Sequence, residues 1–150
     1  MSQRYKPNTT VACVVHCQDK YLLVEEYIDG ELRYNQPAGH LEANESLISA
    51  CQRELHEETG LDIAPSYLLG IYQFSANKDL AFVRYTFAID LENQPTTQPL
   101  DQAINRALWL SIEQIEQIRD QLRSPLVMQS ILDHQQGKHF PLTVLNSRFL

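Results

Sequence analysis

From Thr9 to His16 the chain is almost unbroken apolar sequence, and Val11, Cys13, Val15 and Cys17 fall on one face of an extended segment. The enrichment in Val and Thr predicts a strand there. Gln18-Asp19-Lys20 interrupts the pattern as a turn, and Tyr21 to Tyr27 resumes it as a second strand. Asp29-Gly30 turns the chain again. Glu31 to Asn35 reads as a short strand leading into a Pro37-Ala38-Gly39 loop. Further on, Tyr67 to Phe74 and Leu80 to Leu91 predict two strands joined at the polar turn Asn77-Lys78-Asp79. Ala107 to Leu110 predicts a short last strand.

Helical signals take over in three places. Leu47, Cys51 and Leu55 recur at spacing four, on one face of a helix. Asn44 is placed to cap that helix, and Gly60 to stop it in a left-handed conformation. Ser111 opens a second helix that runs to about Ile118, with Glu113 in its first turn. Ser124-Pro125 opens a third, which ends near Gly137. Strands with helices able to cover both faces predict an α/β sandwich, a single domain over residues 1–150 with no repeat, low-complexity tract or linker.

Another face of the first helix bears Glu54, Glu57 and Glu58, so spaced that their carboxylates converge. Like charges at this spacing cost a bare helix roughly 0.2–0.5 kcal/mol per pair. A hard divalent cation reverses the sign, because Mg²⁺ and Mn²⁺ prefer oxygen ligands. Most charge runs are only solvated faces, but the spacing here decides against that. Gly39, Glu45, Arg53, Glu54, Leu55, Glu57, Glu58, Gly60 and Leu61 fit G-x5-E-x7-R-E-U-x-E-E-x-G-U at every position, U being a bulky aliphatic. Typical residue frequencies give on the order of 10⁻¹⁰ for such a match at one starting point.

Residues 39–61 therefore resemble the Nudix box. The stretches Thr10–His16, Asn35–Glu42 and Leu122–Val127 resemble a bacterial phosphatase subgroup of the same family. The resemblance implies a Nudix-type α/β/α sandwich with a mixed sheet, the box forming a loop-helix-loop. It implies hydrolysis of a diphosphate linked to another moiety, with Mg²⁺ as cofactor and Mn²⁺ as substitute. By position in the box, Glu57 and Glu58 are the expected metal ligands. Glu54 ligates a second metal or accepts a proton from the nucleophilic water, and the main-chain carbonyl of Ala38 adds a further ligand. Gly39 is expected to permit the tight turn that aims this carbonyl. Arg53, four residues before Glu57, can pair with it and orient a ligand. Glu45 is either a metal contact or a structural anchor. Asp101 is the one acid in the segment Pro99–Asn105, and a turn role is its plainer explanation.

Substrate contacts are less distinct. Arg84 could grip a phosphate bidentately, or be an exposed strand arginine. His40 could reach the leaving group. Tyr34, Tyr72, Phe74 and Trp109 could stack on a base, although packing is the ordinary role of strand aromatics. His56 lies off the acidic face, and Arg123 flanks a helix start.

Composition narrows the partners. A chain of 150 residues, 43% hydrophobic, has enough apolar side chain for one core. A net charge of −7 argues against nucleic-acid polymers. It leaves small phosphorylated substrates open, since metal ions supply positive charge. No apolar run reaches membrane-span length and no signal-peptide pattern opens the chain, so a cytoplasmic location is expected. Three cysteines, an odd number, fit a reducing compartment. Strand alternation points His16 away from Cys13 and Cys17, which argues against a zinc site among them; Cys51 reads as a core residue.

The expected substrates are nucleoside tri- and diphosphates or related pyrophosphate esters, including a thiamine-precursor pyrophosphate. The alternatives are a MutT-like sanitiser of oxidised nucleoside triphosphates and a non-catalytic ligand-sensing Nudix module. An isopentenyl-diphosphate isomerase shares the fold. The complete set of box carboxylates disfavours the sensing module, and the short chain with its unmodified box disfavours the isomerase.

Overall fold

Strands β1 (Asn8–Cys17) and β2 (Lys20–Ile28) form on the two apolar runs, and Gln18 takes a positive φ of 58° in the turn between them. The computed structural model describes residues 3–150, so the first two residues of the predicted domain lie outside the described residues. After β3 (Glu31–Asn35) comes the first departure from expectation. The predicted loop at Pro37-Ala38-Gly39 is largely a short strand, β4 (Ala38–His40), antiparallel to β1 through the pairs Thr10↔His40, Val11↔Gly39 and Ala12↔Ala38. The reason lies in how β1 and β2 separate. They pair only next to their turn, at His16↔Tyr21 and Cys17↔Lys20. That leaves the start of β1 with backbone groups to satisfy, and β4 satisfies them.

Helix α1 (Leu47–Thr59) is capped by Ser46, whose Oγ accepts from the Ser49 N–H at 3.1 Å. The expected cap, Asn44, instead holds a positive φ of 62° two residues earlier. Gly60 ends the helix at φ 79°, donating its N–H to the His56 carbonyl at 2.8 Å. β5 (Tyr67–Asn77) and β6 (Leu80–Leu91) form a long hairpin, and β7 (Ile104–Ser111) begins three residues before the predicted start. Ser111 caps α2 (Ile112–Gln117) in a reciprocal box with Gln114, and Ser124 caps α3 (Pro125–Gln135).

The sheet is seven-stranded and mixed, in the order β3-β2-β1-β6-β5, with β4 beside β1 and β7 beside β2. β1 and β6 run parallel through ten residue pairs. Side-chain alternation then builds two cores. Val11, Cys13, Val15, Leu22, Leu68, Phe87 and Ile89 face α1 and pack with Ala50, Cys51 and Leu55. Val14, Tyr21, Leu23, Tyr67, Leu69 and Ala88 face the other way, onto Ile115, Val127, Met128 and Ile131. All three cysteines are buried and free. Among the described residues no helix is long and apolar enough to cross a membrane.

Candidate active site

The β1–β4 ladder aims the backbone of the site. Cys13 donates its N–H to the Pro37 carbonyl at 2.9 Å, and Leu41 to the Thr9 carbonyl at 3.1 Å. Antiparallel ladders alternate, so the N–H and C=O of Ala38 and His40 face away from β1. Both residues are met there by α1. The Ala38 N–H donates to Glu58 Oε1 at 2.7 Å, and Arg53 Nη2 donates to the His40 carbonyl at 3.0 Å. The Ala38 carbonyl lies on the same edge of β4 as its N–H.

Gly39 has a different role from the one its place in a loop suggests. It is in a strand, and it is not among the positive-φ glycines. A Cβ at this position would lie closer than 3.0 Å to the Glu54 carboxyl carbon and both of its oxygens. The glycine is needed for the close approach of a carboxylate to the β4 backbone.

Arg53 organises the acids. Its Nε donates to Glu45 Oε2 at 2.6 Å and its Nη2 to Glu45 Oε1 at 3.0 Å, a bidentate pair. Nη1 donates to Glu54 Oε1 at 2.7 Å and reaches Glu57 Oε2 at 3.4 Å. Glu45 Oε1 also accepts the Glu42 N–H at 3.1 Å, so both Glu45 oxygens are engaged as an anchor. Hydrogen bonding to Arg53 holds the Glu45 carboxyl below its ordinary range.

The three clustered glutamates sit in unlike surroundings. Glu57 is 44% exposed and Glu54 only 13%. Burial pushes the Glu54 carboxyl up, partly offset by Arg53 and reinforced by Glu57 and Asp101. Glu58, 8% exposed, is pushed up to about 8. Burial is the main cause; the Ala38 N–H opposes it, while Glu54, Glu26 and Asp101 add to it. Glu54, Glu57, Glu58 and the Ala38 carbonyl make an all-oxygen donor set, which suits a hard divalent cation.

Two further acids belong to this electrostatic patch. Asp101 makes the turn its sequence suggests, accepting the Ala103 N–H at 2.9 Å, and its own N–H donates to the Glu57 carbonyl at 2.8 Å. That docking against the end of α1 brings its charge to bear on Glu54 and Glu58. Glu26 on β2 gives no motif signal. Burial raises its carboxyl, with Arg123 lowering it and Asp101 raising it. Arg123 therefore does more than flank α3, since its charge reaches an acid of the site.

The expected substrate contacts fare unevenly. His40 is exposed beside Gly39. Tyr34 is not available for stacking: it is buried in the α3-side core with its hydroxyl on Glu25 Oε2 at 2.7 Å. Tyr72 donates to Asp133 at 2.6 Å, and Trp109 packs against the α1-side core. Arg84 is neither exposed nor open to a bidentate phosphate. It is 6% exposed, with Nη2 on Gln36 at 2.6 Å and Nη1 on Asn35 at 3.3 Å. Burial lowers its guanidinium to about 10. His56 is exposed and off the patch.

The family model for the NUDIX domain matches residues 6–130. The chain belongs to the Nudix family. It is 48% identical over 141 residues to phosphatase NudJ of Escherichia coli K12, covering 94% of this chain and 92% of that relative. A solved Nudix hydrolase from Nitrosomonas europaea superposes with a TM-score of 0.87 at 45% identity, over 94% of this chain and 97% of that one. The NUDIX domain of Shewanella oneidensis NrtR, solved with ADP ribose, shares the fold at a TM-score of 0.74 and 17% identity, over 89% of this chain and 90% of that one. This Nudix protein is a phosphohydrolase acting on diphosphate-containing substrates. Nudix hydrolases generally use a divalent metal.

Proposed function

We propose that this Nudix hydrolase cleaves nucleoside tri- and diphosphates, or related pyrophosphate esters such as a thiamine-precursor pyrophosphate, in a Mg²⁺-dependent reaction for which Mn²⁺ can substitute. The observation that carries this reading is Glu58. A carboxyl buried beside Glu54, held by the Ala38 N–H and raised to about 8, belongs to a site short of positive charge. The relatives named phosphatase NudJ support the hydrolysis of a phosphorylated substrate.

The Glu57 and Glu58 carboxylates and the Ala38 carbonyl would hold the ion. Bound Mg²⁺ supplies Lewis-acid stabilisation of phosphate charge and acidifies a coordinated water. Glu58 Oε1 is fixed by Ala38, which leaves its other oxygen for the ion. Glu57, more exposed at 44%, is the ligand open to solvent. Glu54 is held over Gly39 by Arg53, where it takes the proton of the attacking water or contacts a second ion. Arg53 is a positioning residue, fixing Glu45, Glu54 and the β4 backbone together. His40 contacts the leaving group. Arg84 acts through Gln36, keeping the approach to Ala38 in place. The protein works as a single catalytic domain in the cytoplasm, in keeping with three free cysteines.

A panel of nucleotides and pyrophosphate esters, assayed with Mg²⁺ and with Mn²⁺ and scored separately for phosphate and pyrophosphate, tests the proposal. Turnover of nucleoside di- or triphosphates with both Glu57→Gln and Glu58→Gln inactive is expected. Metal-independent turnover, or none across the panel, refutes it.

A further inference from the structure

At the far end of β1, on the α3 side of the sheet, three elements bring together side chains that the hydrolytic site does not use. His16 lies next to the end of β1, Asp90 near the end of β6, and His134 in the last turn of α3. One ligand atom from each of His16, Asp90 and His134 lies within 4.8 Å of the other two. Asp90 Oδ1 is 2.7 Å from His134 Nε2 and 3.4 Å from His16 Nδ1, so one carboxylate oxygen faces two imidazole nitrogens. From Val11, which pairs with Gly39, His16 is five residues further along β1. At the rise of a strand that is about 16 Å, and an odd step turns the side chain to the opposite face.

We infer that His16, Asp90 and His134 form a second metal site, selective for an imidazole-seeking transition ion such as Zn²⁺ and separate from the oxygen-rich site of the Nudix box. Two histidines and one carboxylate are an established zinc donor set, with the fourth position left for water. Two of the atoms that would not touch the ion are already held. Tyr67 donates its hydroxyl to Asp90 Oδ2 at 2.9 Å, and the Tyr21 hydroxyl meets His134 Nδ1 at 2.8 Å. Outer contacts of this kind fix the tautomer and direction of metal ligands. A cavity of about 680 Å³, lined by His16, Tyr21, Glu113 and His134 among others, opens over the rings and gives an ion a way in. Two ligand nitrogens on one zinc stand no more than about 4.2 Å apart. In the tetrahedral geometry that zinc prefers they stand about 3.4 Å apart, so the widest pair, now up to 4.8 Å, closes by about 1.4 Å through rotation of side chains. His134 is largely covered at 9% exposure and His16 is the more open ring at 25%, so closure falls on His16. With three ligands from β1, β6 and α3, the ion would tie helix to sheet.

The inference is independent of the proposed substrate, and its test reads zinc rather than turnover. Zn²⁺ binding is measured by equilibrium dialysis with Mg²⁺ in saturating excess, since Mg²⁺ fills oxygen sites and competes poorly for imidazole. One Zn²⁺ per chain is expected at micromolar affinity or tighter. Affinity should fall at least about 100-fold in His16→Ala and His134→Ala, and about tenfold in Tyr67→Phe. Zn²⁺ should raise the Tm of the wild-type protein but not that of His134→Ala, while Mg²⁺-dependent hydrolysis stays unchanged in that variant. A second reading needs no variant: long-range ¹H–¹⁵N spectra should show Zn²⁺ shifting the ring nitrogens of His16 and His134. Equal zinc affinity in wild type and His134→Ala, shifts confined to His40, His56 or His139, or only millimolar binding would each overturn the site.

Discussion

Gly39→Ala isolates the contact on which the geometry of the box depends. The backbone there accepts alanine without conformational strain, because Gly39 does not hold a positive φ. The obstacle is the Glu54 carboxyl, which a methyl group would approach closer than 3.0 Å. To regain ordinary van der Waals contact the carboxyl must recede by more than about 1 Å. It is the free end of a flexible side chain, so the fold yields cheaply, and a loss of no more than about 1–2 kcal/mol is expected. Activity should respond far more, since a misplacement of about 1 Å in a catalytic group costs on the order of 100-fold. The measurement is kcat and KM for phosphate release at saturating Mg²⁺, alongside thermal unfolding by circular dichroism. A decrease of about 100-fold in kcat with Tm nearly unchanged is the expected pair of results. Glu54→Asp supplies the control, because shortening the side chain by one methylene withdraws the carboxyl from the added methyl. In that background the alanine should cost less than about tenfold, a marked non-additivity. Wild-type kcat in folded Gly39→Ala, or an equal loss in both backgrounds, refutes the close-approach explanation.

Glu57→Gln and Glu58→Gln should each lower kcat at least about 100-fold, while the metal-free fold survives, because the first change removes repulsion and the second replaces a carboxyl that already carries a proton; wild-type turnover at saturating Mg²⁺ would remove that residue from the mechanism. Arg53→Lys keeps the charge but loses the fork that spans Glu45, Glu54 and the His40 carbonyl. It should reduce kcat by about 100-fold with KM little changed, and an unaltered kcat would refute the positioning role. In the metal-free protein, Glu58 keeps its proton up to about pH 8, whereas the unfolded chain releases it near the ordinary value of 4.5. Across that window the native state binds more protons, so stability falls as pH rises, by up to ~1.4 kcal/mol per pH unit, and levels off above it. Urea unfolding of Glu58→Gln should show this slope flattened, and an identical slope in both proteins would show that Glu58 titrates normally.

Strand alternation made much of the fold legible. Val11, Cys13 and Val15 announce one face of β1, and the structure packs them on α1 while Val14 goes to α3. Periodicity does not reveal which strands are central. Arg84 shows the consequence: β6 lies inside the sheet between β1 and β5, and a side chain that looks surface-bound is buried against Gln36 and Asn35. Tyr34, on the edge strand β3, takes the ordinary packing role of a strand aromatic, sealed between Glu25 and the α3-side core. The cap of α1 fails differently. Asn44 and Ser46 are both good capping residues, and position alone does not choose between them; the turn at 44 does, because asparagine tolerates the positive φ needed there. Glu26 and Asp101 could not be assigned from spacing, since what brings them to Glu58 is strand pairing and a loop docked on the α1 carbonyls.

These charges also explain how α1 folds with three acids on one side before any ion arrives. Arg53 is already committed, with its fork on Glu45 and Nη1 between Glu54 and Glu57. One guanidinium does not neutralise Glu54, Glu57, Glu58, Glu26 and Asp101 together. The remainder is relieved by a proton on Glu58, the most buried of the three box glutamates. A divalent ion entering the oxygen donor set supplies the same relief with more charge, and displaces that proton. Metal affinity, protonation of Glu58 and the stability of the metal-free helix are then one linked equilibrium. Glu57 is the most exposed of the three box glutamates, which leaves it free to follow the ion and the substrate without disturbing the fold.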